Sequence, residues 1–384
     1  MNIQKPQLRH ERFRNAVFGI ALALMLGWIL NIGQNIFVPV IASIILAYII
    51  IALAERMKYL AVGGKTVPAI VRYLISILVI VAVVTAFVFL IISNINQLVA
   101  VAPTYQAKLL AIIQGIAEAI GEEFEVETEP TWQTIRRDVL GGVSLQRLIT
   151  STVTSISVLV GSVFVVLVYT GFALAERATF ARKLRRITND KESSERIAEV
   201  ITIINERIGN YLAAKTLVNL VLGLISYAVM AIVGLDFAAF WGVLIALLNY
   251  VPYVGSFLGV LFPVAIAIVQ FGDPSWVIGT ALALILCQVF VGSFLEPNLM
   301  GRTLNLSPFV ILVSLTMWGS LWGIAGALLT VPITANLVIV LSEFEGTRPI
   351  AVLLSRSGKI PPRRHDIDGD RKNVPPVSDD HEMI

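Results

Sequence analysis

Eight stretches of this chain, residues 16–32, 36–54, 70–92, 151–175, 211–234, 237–271, 276–294 and 307–341, are almost free of charge. Their length decides the fold class. A helix needs about 20 apolar residues to cross a hydrocarbon core about 30 Å thick. Inside that core each backbone N–H and C=O has to be bonded within the protein, so an apolar run of this length can only be helical. The chain is therefore expected to be all-α, a polytopic transmembrane protein with about eight spans whose solvent is the bilayer. Only 14% of its 384 residues are charged and 57% are hydrophobic, against about 25% charged residues in soluble domains. Too few charges exist to cover a water-exposed surface.

The basic residues set the expected orientation. Segments 1–15, 55–72, 176–215 and 342–384 hold 24 of the 29 Lys and Arg residues, and such segments stay on the cytoplasmic side. Segment 93–150 instead mixes four basic residues with Glu118, Glu122, Glu123, Glu125, Glu127, Glu129 and Asp138, which places it outside. The expected order is a cytoplasmic N-terminus (1–15), three spans (16–92), extracytoplasmic amphipathic helices (93–150), a fourth span (151–175), a cytoplasmic helical segment (176–210), a membrane core with broken helices (211–341) and a cytoplasmic tail (342–384). Ile112, Ile113, Ile116 and Ile120 recur at helical spacing before the acidic Gly121–Pro130 break, and Trp132, Ile135 and Val139 resume the pattern. Asn189 or Asp190 can cap a helix carrying Ile197, Ile201, Ile204 and Ile208 on one face. From about residue 350 the tail is rich in Pro and charge, and it is expected to be largely disordered.

Catalytic parts are missing from the pattern. His10, His365 and His381 lie in the terminal segments, and no Cys/His/Asp group has metal-ligand spacing, so no metal, cofactor or hydrolytic triad is expected and the chain reads as a non-enzyme. Gly63-Gly64-Lys65-Thr66 mimics the end of a phosphate loop, but the required first glycine falls on Tyr59. Any transport would run on gradients. The net charge of +3 gives no reason to expect nucleic acid. Cys287, the single cysteine, has no intrachain partner and reads as a packing residue.

Two constellations remain. At the middle of the double-length run 237–271 stand Asn249, Tyr250, Val251, Pro252, Tyr253, Val254 and Gly255. Pro252 has no N–H to donate and its ring meets the carbonyl of Leu248, so the helix must break there. A break inside a membrane is tolerated where the freed groups are buried in protein or line a wet cavity, and transporters build substrate sites in this way. A plain turn between two ordinary spans, with the tyrosines as packing, fits equally. Gly255 and Gly259 form a small-xxx-small pair suited to close helix contact. The second constellation is Glu296, Pro297, Asn298, Gly301 and Arg302, followed by Ser307 and Pro308. A carboxylate and a guanidinium near hydrocarbon must pair or meet water, which makes them candidates for a gate or an ion site, while Ser307 and Pro308 read as a helix start. The 35-residue run 307–341 would be about 52 Å long as one helix. Gly319, Gly323 and Gly326 offer a hinge and Pro332 a second break, so a re-entrant hairpin is expected.

The stretch 249–255, then Leu295-Glu296-Pro297 with Met300-Gly301, then Leu306-Ser307-Pro308, then the glycines 319, 323 and 326 ending in Val331-Pro332, resembles the autoinducer-2 exporter family of bacterial membrane proteins. The resemblance covers nearly the whole chain. It implies a multi-pass permease of the bacterial inner membrane, both termini cytoplasmic, exporting a small polar solute such as the quorum-sensing signal autoinducer-2. Other branches imply sodium(lithium)/proton antiport. It also implies a homo-oligomer in a lipid bilayer, and it carries Pro252, Gly255, Glu296, Pro297, Gly301 and Pro308 over as motif positions. An organic solute calls for neutral hydrogen-bonding groups, which Asn219, Tyr227, Asn249, Tyr250, Tyr253, Gln288 and Asn298 could supply. A cation calls for deep carboxylates, of which Glu296 is the best candidate. Asp236 and Asp273 sit near span ends, Asp273 as a helix cap beside Trp276. A membrane scaffold that transports nothing would need only the charged extramembrane helices.

Overall fold

A computed structural model describes residues 5–59, 61–62, 65–124, 145–187, 191–300, 305–344 and 346–358. Helices dominate: α1 (Lys5–Ile32), α2 (Gln34–Arg56), α3 (Ala69–Phe124), α4 (Leu145–Ile187), α5 (Lys191–Val233), α6 (Ala238–Leu248), α7 (Val254–Phe271), α8 (Pro274–Phe290), α9 (Glu296–Met300), α10 (Pro308–Glu343) and α11 (Arg348–Leu354). Between α2 and α3 a 3-10 turn, Met57–Tyr59, precedes a small hairpin, β1 (Ala61–Val62) paired antiparallel with β2 (Lys65–Thr66). That hairpin takes Lys65 and Thr66 out of the phosphate-loop reading; Gly63 and Gly64 lie outside the described residues. Seven helical segments among the described residues are long and apolar enough to cross a membrane, and the apolar segments Val17–Ile32 and Ala238–Leu248 are shorter. The protein is an all-α polytopic membrane protein. The apolar side chains that remain exposed, such as Leu24, Leu78, Phe164 and Leu286, are those a helix presents to lipid.

Several expected boundaries between span and soluble helix do not exist as breaks. The third span and the first amphipathic helix are one 56-residue helix that passes through Pro103. Likewise α5 is a single helix of 43 residues, in which the expected cytoplasmic helix and the next span are fused. Gly209 and Asn210 stand at that junction, where a helix could end, yet the helix runs on through them. The expected second helix of segment 93–150, with Trp132, Ile135 and Val139, lies outside the described residues, as do Asn189 and Asp190.

The run 237–271 folds as a hairpin. Gln270, at the end of α7, donates to the carbonyl of Gly234 at 2.8 Å and accepts the N–H of Asp236 at 2.7 Å, so both arms return to one level. Arm α6 has 11 residues and α7 has 18, about 16 and 27 Å at 1.5 Å per residue. The hairpin tip at 249–253 therefore ends within the thickness of a bilayer core, about 30 Å. The extension of α3 lies across the open end of this hairpin: Tyr105 donates to Asp236, and Lys108 donates to the Gln270 carbonyl at 3.0 Å. Burial, then the hydrogen bond and negative charge of Asp236, raise the Tyr105 phenol above its ordinary value, so it stays a donor at neutral pH.

The run 307–341 also reverses. Gly323 takes φ 59°, ψ −139° inside α10, a backbone conformation open to glycine and closed to most other residues. Trp318 Nε1 consequently donates to Thr334 Oγ1 at 3.2 Å; on a straight helix those residues would stand about 24 Å apart. A Cβ on Gly326 would fall on the Trp318 carbonyl, which explains the second glycine. Gly319 faces open space, and the helix runs on through the buried Pro332. The expected break at Pro332 is absent because proline bends a helix without supplying the positive φ that a reversal needs. At the base, Leu306 bridges Ser355, and Ser307 N–H donates to the Leu354 carbonyl at 3.1 Å. Residues 348–358 thereby pack at the base of α10, with Ala351 fully buried, and the remainder of the tail expected to be disordered, 359–384, lies outside the described residues.

The two hairpins enter from opposite faces. From Pro274, level with the base of the first, α8 and its continuation run 22 residues to Glu296, about 33 Å, and the second hairpin starts just beyond. Helix α5 serves both. One apolar cluster joins Val218, Leu222 and Met230 of α5 to Ile245, Ala267, Leu284, Cys287 and Val291. A second joins Ile208, Tyr211 and Leu212 of α5 to Leu306, Val331 and Ala335.

Candidate functional site

Between those two apolar clusters lies a polar layer on one face of α5. Tyr211, Lys215 and Asn219 recur every four residues, so they project to the same side of the helix, and all three are buried. The tip of the first hairpin meets this stripe. Asn249 Nδ2 donates to Asn219 Oδ1 at 2.8 Å, Ser256 Oγ lies 3.4 Å from Asn249 Oδ1, and the Tyr250 hydroxyl bonds Thr216 Oγ1 at 2.7 Å. Counting from Val233, Asn219 is 14 residues down α5, about 21 Å inside the membrane thickness.

The tip itself is a tight, strained turn. Val254 N–H donates to the Pro252 carbonyl at 2.7 Å across Tyr253, whose φ is 63° and ψ −52°. That is a γ-turn of the rare positive-φ kind, and such strained residues cluster at sites where shape matters. The carbonyl of Leu248, which Pro252 could not satisfy within a helix, accepts from Val251 at 2.8 Å. Gly255 closes the turn: a Cβ there would fall on the Leu248 carbonyl and lie 2.9 Å from the Asn249 Cα. Gly259, one turn on, faces Gln288 and Ile245.

Glu296 arrives from α8 through a single π-turn, Val291–Leu295. Pro297 explains that turn, because its ring would clash with the carbonyl four residues back in a regular helix. One extra residue in the turn rotates Glu296 onto the face that carries Leu284 and Gln288. There Glu296 Oε1 meets Lys215 Nζ at 2.7 Å, with 32% and 9% of the two side chains exposed. Tyr211 stands within electrostatic reach of both Glu296 and Tyr250.

Of the sequence-predicted site residues, the fold gathers Asn249, Tyr250 and Glu296 against α5, while Gly255 packs on Leu248 and Asn249 of its own hairpin. Pro252 sits half-buried at the tip, while Tyr253 is 57% exposed and turns outward. Pro297 and Asn298 are exposed. Pro308 is exposed at the first position of α10, and Ser307 has N-cap geometry but makes no capping side-chain bond. Gly301 and Arg302 lie outside the described residues. Asp273 caps α8 by accepting from Ser275 N–H at 2.8 Å, and Trp276 stacks on Phe271. Among the suggested lining residues, Tyr227 is 44% exposed and points away, whereas Asn219 and Gln288 turn inward. Sequence reasoning missed Lys215. Its only signal was a lone cation at the start of an apolar run, four residues before Asn219. No group of three or more His, Cys, Asp or Glu among the described residues could hold a metal.

The model of the AI-2E family transporters matches residues 18–346. The chain belongs to the AI-2E transporter family. It is 29% identical over 355 residues to the AI-2 transport protein TqsA of Escherichia coli K12, covering 89% of this chain and 97% of TqsA. A putative transport protein of Haemophilus influenzae is 26% identical over 88% of this chain and 95% of its own length. A putative transport protein of Borreliella burgdorferi is 32% identical over 51% of this chain and 54% of its own. This is a multi-pass membrane protein of a bacterial family of transporters, and the broken first hairpin and its polar layer fall wholly within the matched region.

Proposed function

We propose that this AI-2E family protein is a gradient-driven permease of the bacterial inner membrane that exports a small, polar, uncharged organic solute through the layer around Asn219, Asn249 and Gln288. One observation carries the reading: a pair of buried amides, Asn219 and Asn249, bonded to each other at a helix break deep within the membrane thickness. Polar groups there are costly unless they bond one another or line a passage, and a pair set at a helix break favours the second. Autoinducer-2 is the first solute to try, because it is the solute in the name of TqsA. Exchange of sodium for protons is disfavoured, since Glu296 is held by Lys215 and a carboxylate neutralised by an ammonium is a poor vacant cation site. Both termini on the cytoplasmic side and assembly as a homo-oligomer complete the reading.

The test is efflux from proteoliposomes. Vesicles preloaded with autoinducer-2 should release it faster with the wild-type protein than with Asn249→Ala of equal folded yield. Wild-type flux equal to that of empty liposomes, or sodium entry that dissipates a proton gradient instead, would overturn this reading.

A further inference from the structure

Three apolar segments, Gln34–Arg56 of α2, Ala69–Asn94 of α3 and Val160–Arg177 of α4, meet at one face of the membrane. Arg72 Nη1, in the first turn of α3, donates to the Ala54 carbonyl in the last turn of α2 at 3.3 Å, and Arg177 Nη1, at the end of the α4 segment, donates to the Tyr73 hydroxyl of α3 at 3.2 Å. The Arg177 charge also lies within electrostatic reach of the Tyr48 phenol of α2, so this guanidinium stands where three helices join. Both arginines lack a counter-charge. Arg72 is tied inward to a neutral carbonyl, and its Nε is buried without a partner. Arg177 is exposed, and its bonded N–H meets a neutral phenol, which leaves the rest of its donor fork open to the outside. Glu55 and Glu176 are close in sequence, yet among the described residues the ion pair is Lys215 with Glu296 and no carboxylate pairs with either arginine. Arg56 and Lys58, exposed at the end of α2 and in the turn after it, add two more positive charges.

The surroundings suit a lipid better than a free anion. Ile70 and Leu74 fall on the same side of α3 as Tyr73 and are exposed, as are Phe172 and Phe180 of α4, so a phosphate held at Arg177 would lay its acyl chains along side chains already turned to hydrocarbon. We propose that this junction binds the phosphate diester of an anionic phospholipid, with Arg177 as the contacting fork, Tyr73 as the group that orients it, and Arg72, Arg56 and Lys58 supplying positive field. A guanidinium meets two phosphate oxygens at once, and basic pockets between spans at the membrane surface hold anionic headgroups. A zwitterionic lipid is disfavoured, because its ammonium would enter the same positive field. The site does not depend on what the protein exports. It also differs from a diffuse basic surface, which counts charges alone, whereas this one needs the shape of the fork and the phenol that aims it.

Native mass spectrometry of the full-length protein in mild detergent, titrated with phosphatidylglycerol or with phosphatidylcholine of matched chains, reads bound lipid directly. Wild-type protein should hold phosphatidylglycerol about tenfold more tightly, and Arg177→Gln should lose that margin, the effect of one hydrogen bond to a charged group. Arg177→Lys keeps the charge and loses the fork, while Tyr73→Phe keeps every charge and frees the arginine; each should weaken phosphatidylglycerol binding by about threefold or more. The two positions lie on different helices, so if one variant fails to fold the other carries the test. Inorganic phosphate in large excess should leave the lipid bound. Equal affinity for the two lipids, Arg177→Gln binding like wild type, or Arg177→Lys and Tyr73→Phe both binding like wild type would overturn the inference, and so would displacement of the lipid by inorganic phosphate, the mark of a free-anion site. Because the readout is lipid binding, each of those outcomes leaves the permease reading standing.

Discussion

Gly255 and Gly259 occupy the same face of one helix, yet alanine should act very differently at the two. At Gly255 the new methyl would overlap the Leu248 carbonyl and press on the Asn249 Cα at 2.9 Å. Both are backbone atoms of a strained tip and cannot rotate aside. Overpacking of this kind costs about 1–3 kcal/mol, and alanine in a helix returns at most about 1 kcal/mol relative to glycine. A net loss of about 1–2 kcal/mol is expected, together with displacement of Asn249 from Asn219. At Gly259 the nearest atoms are Gln288 Nε2 at 3.2 Å and Ile245 Cγ1 at 3.4 Å, side-chain ends that can yield a few tenths of an ångström. There the cost and the helix gain should cancel to within about 0.5 kcal/mol. Thermal unfolding of the two variants in one detergent reads the difference directly: Gly255→Ala should melt well below wild type and Gly259→Ala close to it. Equal melting temperatures would refute the closely packed tip.

Lys215→Met strands Glu296 among partly buried neighbours. Losing one partner of a fully buried pair costs about 3–5 kcal/mol, and the 32% exposure of Glu296 reduces that to about 1–3 kcal/mol; the double variant Lys215→Met, Glu296→Leu should recover much of it in a double-mutant cycle. Gly323→Ala forces a methyl-bearing residue to φ 59° and should cost about 1–3 kcal/mol, measured as a drop in Tm. Tyr105→Phe removes the bond to Asp236 and should change stability by no more than about 1 kcal/mol, while amide exchange at Gly234–Asp236 accelerates. Because the Tyr105 phenol titrates above its ordinary value, its contribution is complete below the ordinary tyrosine range and is lost only as pH climbs through the raised one, so wild type and Tyr105→Phe should differ equally at pH 6 and pH 8.

Spans and breaks were legible because they answer to local rules. A bilayer imposes run length, Pro252 interrupts the helix at the hairpin tip although Pro103 and Pro332 do not end theirs, Gly323 permits a reversal that its neighbours forbid, and Asp273 before Pro274 is a cap by its own chemistry. Pairings were not legible. Glu296 invited as a partner Arg302, which lies six residues away and outside the described residues; among the described residues its partner is Lys215, 81 residues earlier. Which cation reaches a carboxylate depends on how α5 and α8 pack and on the π-turn that re-aims Glu296, and neither is written in a window of sequence. The fusion of extramembrane helices with spans was hidden for a related reason. Charge and apolar content change sharply at the membrane surface, but helical backbone geometry does not.

A cysteine at the hairpin tip tests most directly whether the break serves passage. In a Cys287→Ala background, Ser256→Cys places a thiol next to Asn249, and a membrane-impermeant thiol reagent applied to sealed vesicles asks whether water reaches it. Labelling of Ser256→Cys that slows when the transported solute is present is the predicted result. A thiol that stays unlabelled from both sides, while a control Ser275→Cys at the exposed start of α8 reacts fully, would show a dry, packed turn and contradict the central claim.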